Sequence, residues 1–391
     1  MPVRAELAEQ ATLPVRNPLP GLVAIILHMG CVGASLGILA PLTALRFKDW
    51  GAASWEVGLS AAMTALALLI MLPLVARMPR INPTVMMAGG CAVGIAALIG
   101  MQLLPYVWAW IGLRLVAALG LTMPWLLGES WVNLAAPPHL RGRVVAFYAS
   151  AFFLGFAVGP ITIDAVGADG WPVIIAGIMF LLGATLPLVV ARKYAPPIAL
   201  EAVRNPWPVL RRAKIVALAA AAAGLTESLC FGLFVIYGLD LGWGTSASLE
   251  AYSALLVGGI VLQYPFGWLA DRWSKGRMLS LVALVVIVSV IALSFVTLQP
   301  TIALFWSFLL GGGVLGFYSL GLTLLGEKFQ GEDVIRANTG FLLAYQGGSL
   351  IGPSIGGVAM TFVGPIGFTA VLATVGVLLL AVTQWRFFKN K

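Results

Sequence analysis

Apolar stretches long enough to cross a lipid bilayer recur along the whole chain, and no other feature limits its fold so severely. Inside hydrocarbon a backbone must satisfy its own hydrogen bonds, so each stretch becomes a helix of about 20 residues. Hydropathy places six such helices in the first half, at about 20 to 45, 55 to 76, 84 to 104, 107 to 135, 143 to 165 and 172 to 191. Six more follow at about 214 to 239, 247 to 270, 278 to 298, 301 to 326, 334 to 360 and 365 to 387. Hydrophobic residues make up 60% of the chain and charged residues only 10%, too little polar surface to cover a water-soluble globule of this size. The fold class implied is an all-α membrane protein with 12 transmembrane helices. The opening stretch to Pro20 has mixed charge (Arg4, Glu6, Glu9, Arg16) and no apolar core, so no removable leader is expected.

The two sets of six repeat one another. Leu126-Leu127-Gly128-Glu129 closes one apolar segment, and Leu324-Leu325-Gly326-Glu327 closes another 198 residues later. Arg143 is followed 16 residues on by Gly159-Pro160, and Arg336 is followed 16 residues on by Gly352-Pro353. Two similar bundles can rock against each other around a shared site, which is the layout of alternating-access transport. The expected domains are a six-helix bundle over residues 1–192, a cytoplasmic linker over 193–213 rich in proline and base, and a second bundle over 214–391.

Basic residues set the orientation. With the N-terminus in the cytoplasm, all of the 23 Lys and Arg except Arg46, Lys48 and Arg114 fall in cytoplasmic loops or tails. The net charge of +8 therefore reads as orientation and contact with anionic lipid heads. The bases are scattered over separate loops, so no nucleic-acid partner is expected. Both termini are placed in the cytoplasm of a bacterial-type inner membrane. Cys31, Cys91 and Cys230 lie in apolar runs at no metal-ligand spacing and read as packing residues, with no metal site.

The linker Gly267-Trp268-Leu269-Ala270-Asp271-Arg272-Trp273-Ser274-Lys275-Gly276-Arg277 joins two helices by a very short turn. Its Gly-x-x-x-Asp-Arg and Gly-Arg form resembles the signature that the major facilitator superfamily carries between its second and third and its eighth and ninth helices. The equivalent place in the first half, Pro73 to Pro83, has arginines but no aspartate. Gly348-x-x-x-Gly352-Pro353-x-x-Gly356-Gly357 has the form that antiporters of the superfamily show in helix five, here in helix eleven. Helix five itself carries Gly155-x-x-x-Gly159-Pro160. Arg114 followed by Ala118 and Gly120 resembles the helix-four pattern of drug:proton antiporters. With Glu129-Ser130-Trp131 and Arg141-Gly142-Arg143, the nearest likeness is to the YcaD-like branch of the superfamily. That resemblance covers essentially the whole chain and implies two pseudo-symmetric six-helix bundles around a central site shared by helices one, four, seven and ten.

Charged groups at membrane depth are costly and draw attention to function. Glu227 lies 13 residues from Lys214, so at ~1.5 Å per residue it stands roughly 20 Å into helix seven, near the midplane. It can act as a proton-coupling acid or a cation-binding carboxylate, or as a neutral hydrogen-bonding group between helices. Aligning Ser35-Leu36 with Ser228-Leu229 puts Ala34 opposite Glu227, so the carboxylate is absent from the first half. His28, about nine residues into helix one, is either a proton carrier or substrate donor facing Glu227, or a satisfied packing residue. Arg114, about 8 Å from the outer surface, can pair with Asp164 on the same side as part of the substrate or proton site, or snorkel to the headgroups. Gln263, Tyr318, Tyr345 and Gln346, with Tyr148 and Asn338, offer sparse hydrogen bonds to a largely apolar cavity or serve as helix-helix contacts.

Glu129 with Arg141 or Arg143, and Glu327 with Asp271, Arg272 and Arg336, read as cytoplasmic gate ion pairs, to which Arg277 also belongs; static helix-end charge complementarity is the alternative. Asp271 has no first-half counterpart, so the second half is expected to carry more of the latch. Gly155, Gly159, Pro160, Gly348, Gly352 and Pro353 read as hinge or packing positions. Gly33-Ala34-Ser35-Leu36-Gly37 matches a hydrolase nucleophile pattern, but that pattern needs a strand, turn and helix and here lies inside an apolar helix. No nucleotide cradle is present either. The expectation is a monomeric secondary transporter, not an enzyme, with no cofactor, a small-molecule substrate and protons as the coupling ion. Export of an amphipathic compound is favoured over uptake of a metabolite by symport.

Overall fold

The computed structural model describes residues 18–75, 82–137, 139–196, 214–295, 300–329 and 332–389. The opening stretch, the centre of the Pro73 to Pro83 linker and most of the expected 193–213 linker lie outside the described residues. The structure is all-helical in its described residues, with twelve helices. The first six are α1 (Leu19–Asp49), α2 (Ser54–Val75), α3 (Pro83–Leu103), α4 (Val107–Ala135), α5 (Arg141–Val166) and α6 (Trp171–Ala191). The second six are α7 (Lys214–Asp240), α8 (Thr245–Arg272), α9 (Lys275–Phe295), α10 (Pro300–Lys328), α11 (Glu332–Val363) and α12 (Ile366–Lys389). A turn at Leu262 breaks α8 in two.

Among the described residues eleven of these helices are long and apolar enough to cross a membrane. The exception is α11, whose run of glycines, Gln346, Ser349 and Ser354 lowers its hydropathy. It packs most heavily on α7 and α2, so protein and not lipid receives its polar faces. Helix ends run a few residues past the hydropathy estimate. The most consequential extension is in α1, which continues to Asp49 and brings Arg46 and Lys48 into its last turn.

Packing repeats between the two sets. In the first, α1 lies on α5, α2 on α4 and α3 on α6; in the second, α7 lies on α11, α8 on α10 and α9 on α12. Glycines make the first of these pairings possible. A Cβ at Gly33 would overlap the carbonyl of Phe152, and one at Gly155 the carbonyl of Gly30. In the second set a Cβ at Gly224 would overlap the carbonyl of Tyr345, and one at Gly348 the carbonyl of Ala221. These equivalences fix the register of the repeat. Gly33 corresponds to Gly224, so Leu36, not Ala34, is the counterpart of Glu227. Aligning the short Ser-Leu match misplaced the helices by two residues because two letters weigh less than backbone contact.

The two sets meet through α2 with α11, α5 with α8, and α1 and α2 with α7. Gly58 and Gly357 let α2 and α11 touch backbone to backbone, against Pro353 and Ser54 respectively. The Trp55 amide donates to Thr361 Oγ1 at 3.1 Å. Lys48 of α1 forms an ion pair with Asp240 at the end of α7, and Arg46 forms one with Asp169 in the α5–α6 connection. Gly242 (φ 82°) and Gly244 (φ 80°) allow the left-handed turn that follows Asp240. This end of the molecule, where the four connections α1–α2, α5–α6, α7–α8 and α11–α12 lie, is therefore closed.

Candidate functional site

The site is built around α7. Glu227 is buried, 9% exposed, on a helix that is apolar on every side and meets both sets of helices. The Tyr345 phenol of α11 is its polar neighbour, within hydrogen-bonding reach of the carboxylate. No Lys, Arg or His pairs with Glu227 among the described residues. Tyr345 packs edge-on against Tyr318 of α10, with ring centroids 5.2 Å apart, and Tyr318 packs in the same manner on Phe341. Ser349, one turn along α11, donates to the Gly224 carbonyl at 3.2 Å. Gln346 is buried beside this cluster in sequence. From the first set an aromatic row meets α7 one turn beyond Glu227: Trp125 on Phe152 at 4.8 Å, then Phe156, which reaches Phe231 at 5.4 Å. Aromatic surface and one acid thus share the space between the halves.

Other residues singled out by sequence turn elsewhere. His28 Nδ1 lies 2.7 Å from the Ala184 carbonyl of α6, which assigns the proton to Nδ1; Nε2 is buried with no hydrogen-bond partner. That geometry directs the ring into the first bundle, and Glu227 is not its partner. Arg114 is buried, 7% exposed, and does not snorkel. Its Nη1 donates to the Leu39 carbonyl at 3.1 Å and to Thr43 Oγ1 at 3.0 Å. Asp164, the partner expected from sequence, is exposed and lies in a groove of about 360 Å³ between α5 and α8, beside Glu250 and Ser253. Arg114 cannot reach it because α1 holds the guanidinium. Tyr148 Oη is 3.5 Å from the Trp125 carbonyl, whereas Gln263 and Asn338 are exposed.

At the end opposite the closed one, Lys275 is the hub. Its Nζ lies 3.8 Å from Glu327 and 4.0 Å from Asp271. Arg272 instead covers the face of Trp268 at 3.6 Å and donates to that residue's carbonyl at 3.3 Å. Arg336 pairs with Asp333 one turn away, at 3.9 Å. Neither Arg141 nor Arg143 reaches Glu129, which is exposed and lies within electrostatic reach of Tyr148 and Tyr318. The pairing thus differs from expectation: Lys275, which begins α9, supplies the charge sought from Arg272 and Arg336, whose guanidinium groups are spent locally. The Gly267–Arg277 turn keeps Asp271 and Arg277 at this end; the Arg277 amide is 3.4 Å from Ser274 Oγ.

The sequence profile of the Major Facilitator Superfamily matches residues 25–319 and 251–391. The chain belongs to this superfamily. It is 28% identical to the uncharacterized MFS-type transporter YcaD of Salmonella dublin over 277 residues, 70% of this chain and 69% of that one. An uncharacterized MFS-type transporter of Enterobacter sp. strain 638 is 27% identical over 276 residues, with the same shares. Among solved structures, the nucleoside transporter NupG superposes with a TM-score of 0.72 at 11% identity, covering 96% of this chain and 99% of that one. A bacterial homologue of the human lysosomal transporter Spinster, inward-facing and unoccupied, superposes with a TM-score of 0.70 at 13% identity, covering 95% and 96%. These two show the fold.

As a superfamily member the protein is a multi-pass membrane transporter of small molecules and not an enzyme, and its bacterial relatives fit an inner membrane. The Gly33 to Gly37 stretch, hydrolase-like in letters, is part of the α1–α5 packing seam. Sequence reasoning missed the Lys48–Asp240 and Arg46–Asp169 pairs. The signal was present: Arg46 and Lys48 were the only bases expected outside; the Lys48 pair bridges the two sets and the Arg46 pair braces the first.

Proposed function

We propose that this member of the superfamily is a proton-coupled exporter of amphipathic small molecules. The observation that carries the reading is Glu227, an acid buried between the two halves with the Tyr345 phenol beside it and, among the described residues, no cation to neutralise it. A carboxyl so placed can take a proton from one side and release it to the other as the halves rock around it. The rocking units are the six-helix bundles over 1–192 and 214–391, joined by 193–213, and the protein acts as a monomer. With both termini in the cytoplasm, the closed end faces outward. Lys275, Asp271 and Glu327, with Glu129, then stand at the cytoplasmic mouth as its gate. The aromatic row of Trp125, Phe152, Phe156 and Phe231 supports an amphipathic substrate, because such surfaces accept apolar groups of many shapes.

The test begins with a compound panel screened for thermal stabilisation of purified protein, since a bound substrate raises stability by mass action. A stabilising compound is then followed in proteoliposomes after a pH jump. Glu227→Gln should lose gradient-driven accumulation while exchange at equal pH on both sides persists. Full proton-driven accumulation by that variant overturns the assignment. Substrate moving opposite to protons marks export; movement with them marks uptake by symport. A cysteine at Ser246 should react only from outside, and labelling from the cytoplasm would reverse the orientation.

A further inference from the structure

The two halves of the site hold opposite charges that the protein does not neutralise. Arg114 of α4 is buried, and its hydrogen bonds run from Nη1 to two neutral oxygens on α1. Among the described residues no carboxylate lies within ion-pair distance of it, and Nε and Nη2 make no hydrogen bond. The acids at the closed end are otherwise engaged, Asp169 by Arg46 and Asp240 by Lys48. Asp164 and Glu250 line the lateral groove. Across the interface, Tyr252 of α8 is the titratable neighbour within electrostatic reach of Arg114, and its own hydroxyl is donated to the Phe231 carbonyl at 3.2 Å. Glu227, in the opposite half, has a phenol for company and no cation.

Neither charge belongs to the repeated scaffold. The Leu-Leu-Gly-Glu match that aligns α4 with α10 pairs Arg114 with Gly312, and packing pairs Glu227 with Leu36. A charge buried without an opposite charge costs several kcal/mol, so a fold that keeps one of each sign, one per half, has a use for both. Their separation follows from the helices. Leu39 and Thr43, which hold the guanidinium, lie three and seven residues beyond Leu36 on α1, about 5 to 10 Å of helix rise. Phe231, which ties Tyr252 to α7, lies four residues beyond Glu227, about 6 Å of rise. Both measures put the arginine one to two turns nearer the closed end than the acid.

We infer that the substrate is an elongated zwitterion. Its anionic group meets the free edge of the Arg114 guanidinium, and its cationic group meets Glu227 at the site from which the proton has left. The planar guanidinium suits a carboxylate or phosphate, to which it offers two parallel donors from Nε and Nη2. The aromatic row between α5 and α7 lies beside the apolar body that joins the two ends. Release of a proton from Glu227 then prepares the cation site, so protons and the substrate's ammonium compete for one carboxylate. This inference rests on the central-site reading above, yet the two fail separately. Proton coupling is tested by Glu227→Gln, and charge matching by ligand preference.

The experiment uses the purified full chain and three probes with the same carbon chain: 8-aminooctanoate, octylamine and octanoate. The zwitterion should raise the melting temperature at a concentration at least tenfold below either single-charge probe. In Arg114→Gln its advantage over octylamine should vanish while octylamine stabilises as before, and Arg114→Lys should restore part of the advantage. Equal stabilisation of the wild-type protein by octylamine and 8-aminooctanoate overturns the inference, as does stabilisation by none of the three. An equal loss for all probes in Arg114→Gln makes the arginine a bolt between α4 and α1 and overturns it as well. The wild-type comparison decides even if the glutamine variant does not fold.

Discussion

The α1–α5 seam and the α7–α11 seam are the same piece of architecture furnished in two ways. In each, a glycine on the earlier helix sits under a carbonyl of the later one, Gly33 under Phe152 and Gly224 under Tyr345, and a glycine on the later helix returns the contact. The side chains that project from this common frame differ completely. The first seam presents Phe152, Phe156 and Leu36; at the matching positions the second presents Tyr345, Ser349 and Glu227. Backbone contact supplies rigidity in both halves. Chemistry has been added to only one of them, so polar function and packing can be varied independently at adjacent positions of a single helix.

The largest effect should come from moving the acid. Glu227→Leu combined with Leu36→Glu places a carboxyl on the first seam at the matching position, and proton-driven flux in proteoliposomes should remain at least tenfold below wild type. Recovery of flux would show the seams to be interchangeable. Next in size, Gly155→Val and Gly348→Val should each cost about 1 to 3 kcal/mol through overpacking, read as similar losses of melting temperature. A loss confined to one half would show that the seams do not bear equal strain.

Smaller again is the hydrogen bond that distinguishes the seams. Tyr345→Phe removes the hydroxyl within reach of Glu227, and a hydrogen bond to a charged group contributes about 1.5 to 3 kcal/mol, so flux should fall by about tenfold or more. Phe152→Tyr on the first seam should change flux less than twofold; an equal effect of both would assign the loss to packing. The smallest effect belongs to the closed end. Lys48→Gln removes a partly exposed ion pair, for which about 0.2 to 1 kcal/mol is usual. Labelling of a cysteine near the outer end of α7 should rise by no more than about fivefold, and by less at high salt.

Sequence read the number of helices and their order well, because spans are set by bilayer thickness. It read directions poorly. Helices that are apolar on every side have no wet face, so periodicity does not reveal which way a given residue points. His28 and Glu227 lie at comparable depth by counting, yet the imidazole turns to α6. Arg114 was placed near the headgroups by its distance from the helix end, while its partners Leu39 and Thr43 lie more than 70 positions away in the chain. The Lys48–Asp240 pair spans 192 positions, a separation at which only folding brings charges together.

The glycine contacts along α1, α5, α7 and α11 also govern how damage to this protein would be read. Any side chain introduced at Gly33, Gly155, Gly224 or Gly348 strikes backbone, which cannot swing aside as a side chain can. A survey scoring every substitution by lost transport would therefore draw dark lines along these glycines and fainter ones at Tyr345 and Arg114. Such a map would mark the places where the halves are held rigid nearly as darkly as Glu227 itself. Counting surviving protein in the membrane beside activity, position by position, would separate the two patterns.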